Sequence, residues 1–176
     1  MEDPRYPIGP FEFDGKTSPQ LREHWIGEIA AAPGAMRAAV AGLTQQQLDT
    51  PYREQGWTVR QVVHHVPDSH LNAYVRIKLA LTEEEPLIKP YDQDRWAELP
   101  DVTATPVETS LTLLECLHRR WVLLLRELNP RDFTRSFRHP EHGRSIGLDE
   151  VLAMYAWHGR HHVAQIVSLR RRMSWT

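Results

Sequence analysis

The chain has few of the features that would place a protein outside the cell, in a membrane or on nucleic acid. It has one cysteine, Cys116, so no intramolecular disulfide can form, which fits a reducing compartment. No apolar run is long enough to span a bilayer, and the polar start does not resemble a secretory signal. A formal net charge of −2 gives no electrostatic case for nucleic-acid binding. We therefore expect a cytoplasmic protein that binds neither membrane nor nucleic acid.

Strand patterns and a common catalytic motif are also missing. No segment of any length alternates as a half-buried strand does. The chain has no His-Glu-x-x-His, the motif that gives many zinc peptidases their general base, and this disfavours peptide hydrolysis. Instead, the chain has ten histidines, six of them in two short segments. These six are His64, His65, His70, His158, His161 and His162.

Helical periodicity covers most of the chain, and 176 residues suit one domain over 1–176. Ser18-Pro19 predicts the start of a first helix, which Pro33-Gly34 should break or kink. Thr58-x-x-Gln61 predicts a capping box at the start of a second helix. That helix should run to about Leu81, with a kink near residues 63–67 caused by Pro67.

The second half of the chain predicts two more helices. Thr105-Pro106-Val107-Glu108 combines a cap, a proline and a reaching-back glutamate at the start of the third. The fourth should begin near Leu148. Residues 82–104 form a long connection, and residues 129–147 suggest a turn or a short hairpin. We expect an all-α fold, an antiparallel four-helix bundle with a long crossover.

His158 and His162 are the strongest candidates for a metal site. They lie four residues apart, so they share one face of the last helix, inside its apolar stripe. Side chains at this spacing can converge on one ion, and His161 lies further round. On the second helix the spacing does not decide: His65 borders the apolar face, His70 lies nearer its centre and His64 points further out.

A family resemblance goes further than spacing. The motifs Gly56-Trp57-Thr58-Val59-Arg60-Gln61-Val62-Val63-His64-His65, Lys89-Pro90-Tyr91-Asp92 and Trp157-His158-x-x-His161-His162 resemble the YfiT-like branch of the DinB superfamily. The resemblance implies an up-down-down-up four-helix bundle and one divalent metal ion held by three histidines. By motif position these are His65, His158 and His162. Pro67 departs from the family pattern two residues after His65.

Three functions are compatible with such a site. Three neutral imidazoles leave the ion's charge uncompensated and a coordination position open, as in catalytic sites. The resemblance implies first a transferase that passes a low-molecular-weight thiol, such as bacillithiol, to an electrophilic small molecule. The alternatives are a metal-dependent hydrolase with an activated water and a non-catalytic metal-binding stress protein. Imidazole suits several metals, and we expect zinc or nickel.

Further expectations concern individual residues and the assembly. Asn72 and Arg76 lie on His65's side of the second helix and are candidate substrate contacts. Cys116 sits one position off a leucine stripe, so it should be a small buried residue, neither nucleophile nor ligand. A homodimer is the candidate assembly, and the sequence does not decide the oligomeric state.

Overall fold

Four long helices form the molecule in the computed structural model, which describes residues 3–175. They are α1 (Pro19–Val40), α3 (Val59–Thr82), α6 (Val107–Glu127) and α7 (Leu148–Arg172). Three short helices lie between them, α2 (Gln45–Leu48), α4 (Gln93–Trp96) and α5 (Pro100–Ala104). A two-stranded antiparallel hairpin, β1 (Ser136–His139) and β2 (Arg144–Gly147), follows a 3-10 turn at Asp132–Thr134. The predicted all-α bundle and short hairpin are confirmed.

Side-chain pairs between helices give the direction of each helix. Arg22 of α1 bonds Asp149 near the start of α7, and Arg170 near the end of α7 bonds the carbonyl of Ala39, so α1 and α7 are parallel. Glu23 pairs with Arg126, and Arg37 pairs with Glu108, so α1 and α6 are antiparallel.

The two remaining helices complete the topology. His64 contacts Ser110 and His70 contacts His118, so α3 and α6 run parallel. The order is therefore up-down-down-up, as the resemblance implied. Two parallel neighbours need a long crossover, and the chain between α3 and α6 supplies it together with α4 and α5.

Local capping signals set two of the helix starts. The hydroxyl of Ser18 accepts a bond from the backbone N–H of Leu21, and Thr58 and Gln61 form the predicted capping box. The predicted cap at Thr105 is wrong. Helix α6 begins at Val107 with Pro106 at the N-cap position, and proline has no polar side-chain atom that could make a cap bond. Glu108 pairs with Arg37 of α1 instead.

The prolines inside helices do not end them. The expected break at Pro33 is wrong, because α1 continues to Val40, and a kink there stays a prediction. Pro67 likewise lies inside a continuous α3, and the kink expected near residues 63–67 stays a prediction. Each proline costs one backbone hydrogen bond, and both side chains are buried in the bundle, where packing offsets that loss.

Two buried apolar clusters make the core on either side of the histidines. One surrounds Trp121, which is fully buried, and includes the hairpin residues Phe137 and Ile146. The other joins valines of α3 to leucines of α6 and to Ile166 and Leu169 of α7. Within residues 3–175, no helix combines the length and apolarity needed to cross a membrane.

Candidate metal centre

Three histidine nitrogens converge between α3 and α7. The Nε2 atom of His158 lies 3.4 Å from Nε2 of His65 and 3.2 Å from Nε2 of His162. One ring nitrogen from each of the three residues lies within 4.8 Å of the others. The structure thus brings together the three residues that the resemblance implied.

The helices account for this convergence. His158 and His162 are one turn apart on α7, so their rings meet edge to face at 4.5 Å between centroids. His65 reaches them from α3, which runs antiparallel to α7, and its ring also packs 4.7 Å from Trp57. Two candidate ligands from one helix and one from its neighbour place the candidate centre at a helix interface, where bundle proteins build metal sites.

Burial keeps these imidazoles neutral. It lowers the pKa of His65 to about 4. Burial, and then the neighbouring histidines, lower the pKa of His158 and of His162 well below the usual value. A neutral imidazole has a free lone pair, which is the form that binds a metal ion.

Gln165 fixes the orientation of His162. The amide nitrogen of Gln165 donates to the carbonyl of Arg5 at 3.1 Å, so its oxygen Oε1 faces Nδ1 of His162 at 2.9 Å. Nδ1 of His162 therefore carries the proton and donates it to Gln165. The Nε2 lone pair of His162 is left free toward the cluster.

The donor set fits a divalent ion. Two zinc–nitrogen bonds of about 2.0–2.1 Å at tetrahedral angles separate the nitrogens by roughly 3.3–3.4 Å. The separations of 3.2 and 3.4 Å match that value. Among the described residues, no carboxylate, thiol or further histidine joins the group. An ion held here would keep at least one position for a substrate or water.

A cavity of about 680 Å³ opens onto all three histidines. Its wall combines aromatic rings with groups of both charges: Arg5, Tyr6, Tyr52, Arg53, Trp57, Asp94, Glu98, Trp157 and the three histidines. Arg5 and Tyr6 belong to the segment before α1, which is tied to α7 where Nε1 of Trp157 donates to the carbonyl of Gly9. This volume suits a small organic molecule.

A second cavity, of about 540 Å³, reaches His158 from the other side. Arg76 and Tyr91 line it together with His139 of the hairpin. Arg76 donates to the carbonyl of Lys89 at 3.3 Å, and none of the described carboxylates lies in ion-pair contact with it. Burial raises the pKa of Tyr91 to about 12, so its hydroxyl keeps its proton at neutral pH.

Two residues singled out from the sequence lie elsewhere. Asn72 donates to the carbonyl of Asp68 on its own helix and lines neither cavity, so its contact with a substrate stays a prediction. Cys116 is exposed on α6, which makes the expected burial wrong. It is outside the histidine group and both cavities.

Sequence reasoning missed several residues around the site. His64 was expected to point outward, yet it is buried and its Nδ1 lies 2.7 Å from the hydroxyl of Ser110. His118 and Gln165 were not candidates, although both are buried and hydrogen-bonded within the histidine network. A polar residue inside an apolar helix face was the one available signal for them.

Comparisons with known proteins agree with this geometry. The family model of the DinB superfamily matches residues 28–166. A protein of Bacillus mycoides (strain KBAB4) named "Putative metal-dependent hydrolase" is 53% identical over 175 residues, which cover 99% of this chain and 100% of the relative. A relative of the same description from Oceanobacillus iheyensis is 53% identical over 171 residues, 97% of this chain and 98% of its own.

Solved structures give the same result. YfiT from Bacillus subtilis, described as a probable metal-dependent hydrolase with an unusual four-helix bundle topology, superposes with a TM-score of 0.96. It is 47% identical, and the match covers 98% of this chain and 99% of that one. TT2238, a four-helix bundle protein, has a TM-score of 0.56 at 20% identity over 81% of this chain and 94% of its own, which shows the fold alone. The chain therefore belongs to the DinB superfamily.

Proposed function

We propose that this protein is a metal-dependent hydrolase that binds one divalent ion through His65, His158 and His162. The observation that carries the proposal is the convergence of three neutral ring nitrogens at the wall of one cavity, with His158 also reached by a second. When bound, the ion would polarise a substrate carbonyl or phosphoryl oxygen and lower the pKa of water toward about 7. The names of the relatives support hydrolysis.

The chain's own residues would orient the substrate and move protons. Asp94 and Glu98 are the carboxylates in the wall of the cavity on the His65 side, and either could accept a proton from the attacking water. On the other side, the protonated hydroxyl of Tyr91 could donate a hydrogen bond to an oxygen that gains charge. Arg76, free of a carboxylate partner, is placed to hold an anionic part of a small substrate.

Transfer of a low-molecular-weight thiol is the second candidate. Its support is the basic side chains Arg5, Arg53 and Arg76 in the walls of the two cavities, which suit an acidic thiol cofactor such as bacillithiol. A bound ion would hold the sulfur as a thiolate. The role of a non-catalytic metal-binding stress protein is less well supported, because a closed structural site would need a fourth protein ligand. A homodimer and a cytoplasmic location stay predictions.

Metal content tests the site itself. Purified protein should retain about one zinc or nickel ion per chain after dialysis, measured by elemental analysis. His65→Ala, His158→Ala and His162→Ala should each lose it, because two imidazoles hold an ion poorly. His142→Ala, at an exposed position of the hairpin, is the matched control and should keep it. Full occupancy in His158→Ala would contradict the site.

A product assay separates the two reactions. Metal-loaded protein is incubated with a panel of small esters and amides, and separately with an alkylating compound plus bacillithiol or cysteine, followed by mass spectrometry. Hydrolysis predicts products that gain the mass of water without any thiol. Thiol conjugates that form only with the metal-loaded protein, with no hydrolysed product, would favour the second candidate.

A further inference from the structure

Three imidazoles stand in a row behind the candidate centre, and the reaction proposed above uses only the first. Nδ1 of His158 lies 3.0 Å from Nε2 of His70, and Nδ1 of His70 lies 2.8 Å from Nε2 of His118. His70 is 0% exposed and His118 is 2% exposed. The row runs from α7 through α3 to α6, and each ring nitrogen between His158 and His118 has a single partner within the row.

The row ends on a backbone carbonyl of α1. Nδ1 of His118 lies 2.6 Å from the carbonyl oxygen of Ile29. In a regular helix that oxygen would accept from the backbone N–H four residues later, but residue 33 is Pro33 and has none. The proline that we expected to disrupt the first helix therefore leaves an acceptor free inside the bundle, and His118 uses it.

This acceptor sets the direction of every hydrogen bond in the row. A carbonyl oxygen only accepts, so the proton of neutral His118 must sit on Nδ1, and its Nε2 must accept. Nδ1 of His70 then donates to that nitrogen, and Nε2 of His70 accepts in turn. Nδ1 of His158 must then donate to His70. The Nε2 atom of His158, which faces His65 and His162, is left without a proton.

We propose that His70 and His118 are positioning residues, which hold His158 as the Nδ1–H tautomer and aim its free Nε2 lone pair at the metal position. This inference rests on the metal site proposed above and deepens it. Gln165 does the same for His162, so two ligands are oriented by different anchors. Metal-bound histidines are commonly oriented by a carboxylate or a carbonyl. Here the orienting group is a row of two neutral imidazoles that ends on a carbonyl. Unlike a carboxylate, this row adds no negative charge that would compensate the charge of a bound ion.

Tautomers in the metal-free protein are the direct test. Long-range proton–nitrogen correlation spectra of histidine-labelled protein distinguish a protonated ring nitrogen from a bare one. We expect Nδ1–H and bare Nε2 for His118, His70 and His158 at pH 7.5. A proton on Nε2 of His70 or His158 would overturn the proposal, whatever the metal content of the protein.

Zinc affinity gives the second test, measured by competition with a chromophoric chelator. His70→Phe should weaken zinc binding about 10- to 100-fold, as loss of a ligand's orienting partner does. His118→Phe should weaken it less, because His70 still contacts His158. His64→Phe is the matched control: His64 is buried on the same helix and lies beside His65, but it bonds Ser110 rather than the row. Unchanged affinity in His70→Phe, or an equal loss in His64→Phe, would contradict the positioning role.

Pro33→Ala separates positioning from folding. Alanine restores a backbone donor for the oxygen of Ile29, which then competes with His118. We expect weaker zinc binding while the metal-free protein keeps or raises its thermal midpoint, since proline inside a helix is unfavourable. A lowered midpoint with unchanged affinity would count against the proposal. Absence of zinc binding in the unmodified protein would instead contradict the metal site, because the tautomers are measured without metal.

Discussion

Acid should unfold the metal-free protein, because its buried histidines resist protonation. Burial lowers the pKa of His65, His118 and His161 to about 4 each. An unfolded histidine has a pKa near 6.5, so below that pH the unfolded chain binds protons that the folded chain refuses. Stability is therefore present above about pH 6.5 and is lost as the pH falls toward 4.

The size of the effect follows from these values. A group with pKa about 4 when folded and near 6.5 when unfolded lowers the free energy of unfolding by about 1.4 kcal/mol between pH 7.5 and 5.5. The three residues together remove about 4 kcal/mol on this basis. His70, His158 and His162 act in the same direction. Burial raises the pKa of Asp68 to about 6, which opposes this loss in part. Since domains are stable by about 5–15 kcal/mol, a large share of the stability should still be lost by pH 5.5.

Urea unfolding of chelator-treated protein at pH 7.5 and at pH 5.5 measures this loss. His118→Phe keeps an aromatic ring and should reduce the loss by about 1.4 kcal/mol, the contribution of one buried histidine. Leu123→Phe, at an exposed position of the same helix, adds an aromatic ring without removing a titrating group and should leave the loss unchanged. An equal or greater free energy of unfolding at pH 5.5 in the parent protein would refute the reasoning.

Three further predictions concern the metal, one close helix contact and the cysteine. Zinc or nickel at about 100 times its Kd should add about 2.7 kcal/mol to the free energy of unfolding. Chelator-treated protein should therefore have a thermal midpoint roughly 5–10 °C lower in calorimetry. Identical midpoints would contradict an interhelical metal site. Gly159→Ala would put a Cβ 2.9 Å from that of Ala32, and it should lower the urea midpoint through about 1–3 kcal/mol of overpacking. Gly34→Ala, with open space around the new Cβ, should instead stabilise by up to about 1 kcal/mol. Cys116→Ala should keep its metal and its activity, and loss of either would show a role for the thiol.

Helix starts that depend on hydrogen bonds within one turn of the helix could be predicted from the sequence. Ser18 and the Thr58–Gln61 box bond atoms three residues away, and both helix starts were predicted correctly. The cap of α6 was not: the N-cap residue is Pro106 instead of Thr105, and Glu108 pairs with Arg37, a residue 71 positions earlier in the chain. A local motif describes one partner for a side chain, and the folded bundle offered Glu108 a charged one.

The prediction of a break or kink at Pro33 had the same limit, because it considered only neighbours along the chain. Local rules count the lost backbone bond and predict a break or a kink. They do not include the folded bundle, in which Pro33 is buried and His118 of α6 is a new donor to the freed oxygen of Ile29. A helix breaker was therefore accommodated because the missing bond was replaced from α6.

The histidines of α3 show why periodicity alone could not choose the ligand. His158 and His162 share one face and one helix, so their convergence follows from spacing. The distances from His65 and His70 to the histidines of α7 depend on how the two helices pack. Helical periodicity placed His70 nearer than His65 to the centre of the apolar face. That ranking was correct for burial, since His70 is 0% exposed against 6% for His65.

Burial and metal binding nevertheless favour different positions on the same helix. A metal ligand needs one nitrogen that faces a cavity, as the proposed ligand His65 has at the wall beside Trp57. A fully enclosed imidazole has both nitrogens committed to protein partners, as His70 has with His118 and His158. The deepest histidine is thus excluded as a ligand by its own hydrogen bonds, and it is suited to orienting one. Whether a histidine of α3 can bind a metal or orient a ligand depends on which groups its two ring nitrogens face. Those neighbours are set only by the packing of α3 against α6 and α7, so the sequence of α3 alone could not decide between the two roles.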